Sequence, residues 1–208
     1  MNLTNQTPMH NISYLKKMAL LSFFMVMSFQ FLVAQDHTAF FERSSSINKS
    51  GMYLLGGWAI ANLTLGTYGW INEKGSKMYF HQMNTAWNVV NLAIAGYAMW
   101  EMTGINVTGM SPDEMMKQHM RSENLYLINA GLDILYVAGG AWMLHASKSN
   151  EKRHDLLKGY GRSVMLQGAF LFAFDLTKFA IQYNNRMDFL NNTKVSFSPT
   201  GLSLVIGL

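Results

Sequence analysis

Four long apolar segments constrain the fold of this chain more strongly than any other feature of its sequence. They are residues 51–71, 78–100, 125–147 and 163–185, the first to fourth segments in chain order. Each reaches the ~20 residues with which an α-helix crosses a hydrocarbon layer of ~30 Å. The first two lack Asp, Glu, Lys and Arg, whereas a helix of a soluble bundle shows a charged face. The sequence therefore predicts an all-α, four-helix transmembrane bundle.

The composition agrees with a membrane protein. Charged residues make up only 13% of the chain, against about 25% in a typical soluble protein. The net charge of +4 does not predict a nucleic-acid partner, because the densest basic run is confined to residues 148–162. Such a loop is typical of the cytoplasmic side of a membrane protein. The chain has no cysteine, which excludes disulfides, thiolate metal sites and a cysteine nucleophile.

The N-terminus has the layout of a secretory signal. Lys16 and Lys17 precede the apolar run "MALLSFFMVMSFQFLV", and "AQ" follows, as in a signal peptide. A large residue stands upstream of the expected cleavage point, so an uncleaved signal anchor is the alternative. We expect a signal peptide or signal anchor at 1–35, an extracytoplasmic linker at 36–50, a four-helix transmembrane domain at 51–190 and an extracytoplasmic tail at 191–208.

Basic loops set the expected orientation. Lys74 and Lys77 lie between the first two segments, and the basic run 148–162 lies between the last two. Cytoplasmic loops carry the excess of Lys and Arg. Both connections are therefore expected in the cytoplasm, with the C-terminus outside.

Two shorter motifs predict local structure outside the segments. Ser111, Pro112 and Glu114 have the spacing of a helix-capping box, so a helix begins in the loop before the third segment, either separate from it or continuous with it. The tail alternates apolar and polar residues on both sides of "SPTG". That pattern favours a short β-hairpin or an extended flap.

Polar side chains recur at helical spacing inside the apolar segments. Asn84, Asn88 and Asn91 follow one another at i, i+4 and i+7, which places them on one face of a helix. Asn129 and Asp133 are spaced in the same way on the third segment. We predict a midplane polar core, which is also the candidate ion site, formed by Asn62, Asn84, Asn88, Asn91, Asn129, Asp133, Asp175 and Lys178.

Two interpretations of this core stay open. Amides that hydrogen-bond across membrane helices hold them together, for ~0.6 kcal/mol each and up to ~1–2 kcal/mol. Carboxylates at mid-bilayer cost at least ~2.5–3.5 kcal/mol on insertion scales, which makes Asp133 and Asp175 functional candidates. Lys178 lies three residues from Asp175 and is expected to pair with it or to extend toward the interface.

The sequence gives little indication of a metal site or an enzyme active site. His81 and His145 lie near the predicted cytoplasmic ends of their segments. They are weak metal candidates, because no carboxylate ligand accompanies them in the sequence. No nucleophile elbow, phosphate-binding loop or zinc-protease motif occurs. We predict no resident cofactor.

The four segments resemble a known family. The stretches "GMYLLGGWAIANL", "YFHQMNTAWNVVNLAIAG", "NAGLDILYVAGGAWML" and "GYGRSVMLQGAFLFAFDLTKF" are similar to small uncharacterised membrane proteins of Bacteroidota, classed as a domain of unknown function. The resemblance covers residues 51–185. It implies a four-helix integral membrane domain in a bacterial inner membrane and supplies no catalytic residues.

Three functional hypotheses follow. The leading one is a non-enzymatic membrane module with a polar core, whose partners are the lipid bilayer and a membrane protein or a second copy of the chain. The second is a small transporter or proton- or ion-conducting protein, in which Asp133 and Asp175 bind the ion and Asn88 and Asn91 supply oxygens. An intramembrane enzyme that uses His81 with the carboxylates is the least favoured.

Overall fold

Long helices account for most of the structure. The computed structural model describes residues 9–198 and 201–206, and describes side chains at 14, 16–24 and 37–191. The helices are α1 (Met9–Asn72), α2 (Gly75–Thr103), α3 (Pro112–Ala146) and α4 (His154–Asn192). Short 3-10 turns occur at Val107–Gly109, Ser147–Ser149 and Glu151–Arg153. After α4, strands β1 (Thr193–Ser198) and β2 (Gly201–Ile206) pair as an antiparallel hairpin.

The polar stretch expected to be a linker, residues 36–50, is helical. α1 runs through it without interruption, because it contains no Pro or Gly and its apolar face is covered. Phe40 and Phe41 are buried, and the Phe40 ring packs on His119 of α3 and Phe189 of α4. The stretch is thus part of the helical packing. A signal peptide at 1–35 stays a prediction.

The helix ends follow local sequence signals. α1 and α2 are joined by two residues, and the turn ends at Gly75 with φ of 61°, a left-handed conformation that favours glycine. Ser111 Oγ accepts a hydrogen bond from the Glu114 amide at 3.3 Å, and Glu114 Oε2 accepts one from the Ser111 amide at 2.9 Å. The predicted capping box is therefore confirmed, and α3 continues from it through the third segment.

The packing of the helices is uneven. α3 packs closely on α4, and α2 packs on both α1 and α4. The backbones of the consecutive helices α2 and α3 hardly approach one another, although the rings of Trp87 and Tyr136 meet between them, with their centroids 4.9 Å apart. α3 and α4 approach closely where Gly140 of α3 meets Gly161 of α4. A Cβ on either residue would lie 2.6 Å from the carbonyl oxygen of the other. Small residues allow such backbone contact between membrane helices.

Polar side chains are concentrated inside this structure. The fully buried side chains include His119, Gln167, Gln182 and Asn88, whereas large apolar side chains are exposed along all of the helices. In soluble proteins, by contrast, the fully buried residues are mostly apolar. Two helical stretches in the described part of the chain, Pro112–Ser149 and Glu151–Asn191, are long and apolar enough to cross a membrane.

Candidate functional site

Asn84 lies at the centre of the polar core and connects three helices. Its Nδ2 donates to Asn62 Oδ1 on α1 at 3.1 Å. Its Oδ1 accepts a hydrogen bond from Gln167 Nε2 on α4. Because Asn84 is buried, these bonds replace the hydrogen bonds that water would otherwise supply.

The next two asparagines extend this group along α2. Asn88 Nδ2 donates to the Asn84 carbonyl at 2.8 Å, and Asn91 Nδ2 donates to Asn88 Oδ1 at 3.3 Å. Asn88 and Asn91 are both buried. The three asparagines therefore form a continuous chain of amides on the inner face of α2, the face that their spacing predicts.

Gln167 completes the amide network on α4. Its Oε1 accepts a hydrogen bond from Trp58 Nε1 at 3.0 Å. The Trp58 ring also stacks on Phe170, with 3.8 Å between ring centroids and 5° between ring planes. Both ends of the buried Gln167 amide are thus hydrogen-bonded, which fixes the orientation of the side chain between α1 and α2.

Asp133 of α3 and Asp175 of α4 form a carboxyl dyad. Both side chains are buried and lie within hydrogen-bonding reach of each other. Two carboxylates offer no donor between them, so a hydrogen bond in this pair requires one proton. Asp133 Oδ2 has no hydrogen-bond partner. No hydrogen bond among the described residues joins the dyad to the three asparagines.

Of the two alternatives expected for Lys178, the ion pair with Asp175 is absent from the described residues. Lys178 Nζ donates to the Ile47 carbonyl on α1 and lies 3.4 Å from Ser50 Oγ, and no ion pair among the described residues includes it. Gly51 provides the space, since a Cβ there would lie 2.6 Å from Lys178 Cε. The lysine therefore connects α4 to α1.

Asn129 does not belong to the buried core, contrary to the prediction. It is exposed, although Asp133 one turn later is buried. The difference follows from the packing, because α4 covers Asp133 whereas α2 leaves the neighbouring part of α3 open. Asn129 instead lines a cleft between α1, α2 and α3.

The two histidines singled out in the sequence occupy different environments. His81 is half-buried, its ring lies against Gly69 of α1, and its Nδ1 has no hydrogen-bond partner. His145 is exposed at the end of α3. No group of three or more side chains that could hold a metal occurs within the part of the chain that the structure describes.

A second polar group, which the sequence did not reveal, lies far from the α1–α2 turn. This outer cluster consists of Ser44, His119, Glu123, Gln182 and Arg186. Arg186 forms a bidentate ion pair with Glu123 at 2.8 and 2.9 Å. Ser44 Oγ lies 2.8 Å from His119 Nδ1 and donates to Gln182 Oε1 at 3.2 Å. The cluster joins α1, α3 and α4.

The charges of the outer cluster follow from its geometry. Its ionisable members lie outside the apolar segments 125–147 and 163–185. Burial lowers the pKa of the His119 imidazole and outweighs the opposite effect of Glu123. The hydrogen bond from Arg186 lowers the pKa of the Glu123 carboxyl. His119 is thus neutral beside an ionised Glu123 at neutral pH.

The two ring nitrogens of His119 face Ser44 and Glu123. The Ser44 hydroxyl has a single proton, which it can donate to Gln182 Oε1 at 3.2 Å or to His119 Nδ1 at 2.8 Å. His119 Nε2 lies 3.3 Å from Glu123 Oε2. A proton taken up at low pH would make both ring nitrogens donors, one facing Ser44 and the other facing Glu123.

The comparison with known families concerns the same helices. The model of the Family of unknown function (DUF6992) matches residues 54–176, which is more than half of the chain. The chain belongs to the DUF6992 family. The resemblance to a domain of unknown function is thereby confirmed. The DUF6992 match contains the asparagines of α2, Gln167 and both dyad carboxyls, whereas Ser44 and Arg186 lie outside it.

No curated protein and no solved structure matches the chain. The amide network and the dyad are the two parts of the matched region in which buried polar groups converge from different helices.

Proposed function

We propose that this DUF6992 protein is a four-span integral membrane protein, a non-enzymatic module whose polar core holds the spanning helices together. One observation carries the proposal: polar side chains are buried and large apolar side chains are exposed on every helix. The exposed set includes Leu54, Ile60, Leu65, Val89, Val90, Ile94, Ile128, Leu135, Trp142, Leu166, Leu176 and Ile181.

This distribution suits lipid and does not suit water. Soluble monomers rarely expose contiguous apolar patches of more than a few hundred Å². In a bilayer the same side chains contact acyl chains, and polar groups find partners between helices. The network of Asn62, Asn84 and Gln167 satisfies that requirement across three helices.

The proposed location is a bacterial inner membrane with both basic connections in the cytoplasm, as the resemblance to Bacteroidota proteins implies. The two connections lie at the same end of the molecule, since a Cβ on Gly75 would lie 3.2 Å from Asp155 Oδ2. Tyr160 also donates to Gln82 at 2.8 Å across this end. Clustering of Lys and Arg at one end supports a cytoplasmic assignment for that end. The opposite end and the C-terminus are then extracytoplasmic.

Labelling of single cysteines tests this topology. The chain has no cysteine, so Lys77→Cys, Lys152→Cys and Thr108→Cys each introduce a unique thiol. In intact cells a membrane-impermeant maleimide should label Thr108→Cys alone, and permeabilised cells should label all three. Labelling of Lys152→Cys and Thr108→Cys to the same extent in intact cells would contradict the four-span arrangement.

A second candidate function, proton or cation movement, is favoured by the dyad. Asp133 and Asp175 are both buried, a hydrogen bond between them would require one proton, and Asp133 Oδ2 has no hydrogen-bond partner. Intramembrane carboxyls of this kind occur in proton relays and ion pathways. Asn91 Nδ2 donates to Asn88 Oδ1, and in this candidate function the side-chain oxygens of Asn88 and Asn91 would supply further ligands.

Flux through proteoliposomes separates the two functions. A carrier or channel should dissipate a pH or cation gradient, and Asp133→Asn or Asp175→Asn should reduce the flux at least tenfold. Asp188→Asn, which changes an exposed carboxyl of the same helix as Asp175, is the matched control and should keep the flux. Rates equal to those of empty vesicles under every gradient would reject transport and leave the structural module.

A further inference from the structure

A cleft of about 360 Å³ lies between α1, α2 and α3 on the side away from the basic connections. Its cause is the weak packing between α2 and α3, which leaves a gap where two consecutive helices would normally meet. The volume falls within the range of ~300–1,000 Å³ that is typical of small-molecule sites. Under the proposed four-span arrangement, the cleft lies in the outer half of the membrane.

The inner part of the cleft has an apolar wall. Met52 of α1, Ile94 and Ala98 of α2, and Leu125 of α3 line it. About half of the surface of Ile94 and Leu125 is exposed, at 51% and 49%. These side chains stand on opposite sides of the gap and offer a surface that suits a hydrocarbon chain.

Polar groups of the same cleft are already partnered with one another. Asn48 Nδ2 donates to Ser122 Oγ at 3.1 Å, and Tyr126 donates to Asn48 Oδ1 at 3.2 Å. They form a fixed polar strip between α1 and α3 beside the apolar wall. The cleft is therefore amphipathic along its depth.

One of the described residues that line the cleft is cationic, Arg121. Arg121 and Gln118 also line a neighbouring, more open cleft, to which Lys117 belongs. Arg121 is exposed and takes part in none of the ion pairs formed within the described residues. It precedes the apolar stretch 125–147 by four residues, about 6 Å along a helix. That is the depth at which lipid headgroups lie.

We infer that this cleft binds a phosphate-bearing lipid of the outer leaflet, with an acyl chain against Ile94, Ala98 and Leu125 and the phosphate near Arg121. The inference rests on the proposed function, because a lipid of the outer leaflet can reach this cleft only if the helices cross a bilayer. Guanidinium groups pair well with phosphate. Glu101 also lines the cleft. Its carboxylate would repel negative charge and therefore limits the charge of the headgroup.

Binding of a pyrene-labelled phosphatidylglycerol to the purified full-length protein in detergent tests this inference. The wild-type protein should bind the probe saturably at one site. Ala98→Trp fills the apolar part of the cleft and should weaken binding at least tenfold. Ala93→Trp is the matched control, since Ala93 is exposed on α2 outside the cleft, and it should bind as the wild type does.

Charge and headgroup are tested in the same assay. Arg121→Gln should weaken binding about fivefold, the effect of one Lys or Arg near an anionic surface, and Arg153→Gln at the other end should not. Labelled diacylglycerol with the same chains should bind at least fivefold more weakly than phosphatidylglycerol. Equal affinity for the two lipids, or no effect of Arg121→Gln, would overturn the assignment of the phosphate.

Leu125→Trp provides a second blocking variant on α3, should Ala98→Trp fail to give a monodisperse protein. If both blocking variants fold and bind as tightly as Ala93→Trp, the cleft is not the site and the inference is wrong. Cysteine labelling stays an independent readout. A correct four-span topology without lipid binding removes only this inference, whereas a wrong topology removes the proposed function as well.

Discussion

Asn84 contacts two other helices through one amide group. It donates to Asn62 on α1 and accepts from Gln167 on α4. Asn84→Leu removes both bonds and leaves the Gln167 amide without an acceptor in the protein interior. Interhelical bonds of this kind are worth ~0.6 kcal/mol each and up to ~1–2 kcal/mol. We therefore expect a loss of stability of about 1–3 kcal/mol, measured by thermal unfolding in detergent.

Asn72→Leu is the control for this prediction. Asn72 is exposed, and its amide donates to the Tyr68 carbonyl within α1. The substitution has the same chemistry and leaves the contacts between helices unchanged. Equal unfolding midpoints for the two variants would show that the amide network does not hold the helices together.

We expect His119 to make the stability of the folded protein depend on pH. Because burial lowers its pKa in the folded protein, the unfolded chain takes up the proton first as the pH falls below about 6.5. The stability that neutral His119 contributes is therefore present at pH 7 and lost as the pH falls toward 5. The Glu123 pKa is also lowered, so its contribution is lost only in more acidic solution, below about pH 4.5.

His119→Asn isolates this effect, because an amide can keep the contact with Ser44 and cannot titrate. Between pH 7 and pH 5 the unfolding temperature of the wild type should fall more than that of the variant. The other histidines are present in both proteins, so their contributions cancel in the comparison. Parallel curves would mean that His119 is not the group that takes up the proton.

At the scale of helices, the contact between α3 and α4 depends on Gly140 and Gly161. The backbones meet there so closely that a Cβ on Gly161 would lie 2.6 Å from the Gly140 carbonyl oxygen. Gly161→Ala must separate the helices, and we expect it to cost about 1–3 kcal/mol, as overpacking does. Gly131→Ala is the control, since a Cβ at Gly131 would meet nothing within 4 Å.

Chemical denaturation in detergent distinguishes the two glycine variants. Gly131→Ala should be neutral or slightly stabilising, because alanine favours a helix over glycine. A similar effect of both substitutions would indicate that helix propensity, and not the close approach, determines the result.

At the scale of the whole molecule, the sequence predicts the helices better than the contacts between them. Apolar runs of ~20 residues indicate a helix regardless of its neighbours, and the spacing of Asn84, Asn88 and Asn91 determines which face they share. The helix through residues 36–50 was missed because its polar composition resembles a loop. What stabilises it is the packing of Phe40 and Phe41 against distant residues.

The errors at the candidate site have the same origin. Spacing along one helix suggested Asp175 as the partner of Lys178, but the actual acceptor is a carbonyl of α1. Asn129 lies on the same face of α3 as Asp133 and is nevertheless exposed. The position of a residue on a helix face does not tell which neighbouring helix packs against it. The outer cluster draws its residues from three helices, and the one-turn spacing of His119 and Glu123 is the sequence signal that could have indicated it.

The central claim is that the apolar outer faces of all four helices contact lipid while the asparagines are enclosed. Spin labels on single cysteines test it in reconstituted vesicles, at exposed Leu54, Val90, Leu135 and Leu176 and at buried Asn88. Oxygen concentrates in hydrocarbon, so at the four exposed positions the spin label should collide more often with oxygen than with a water-soluble nickel complex. The label on Asn88→Cys should collide little with either reagent. Nickel collisions that exceed oxygen collisions at the positions on α1 and α2 would contradict the account.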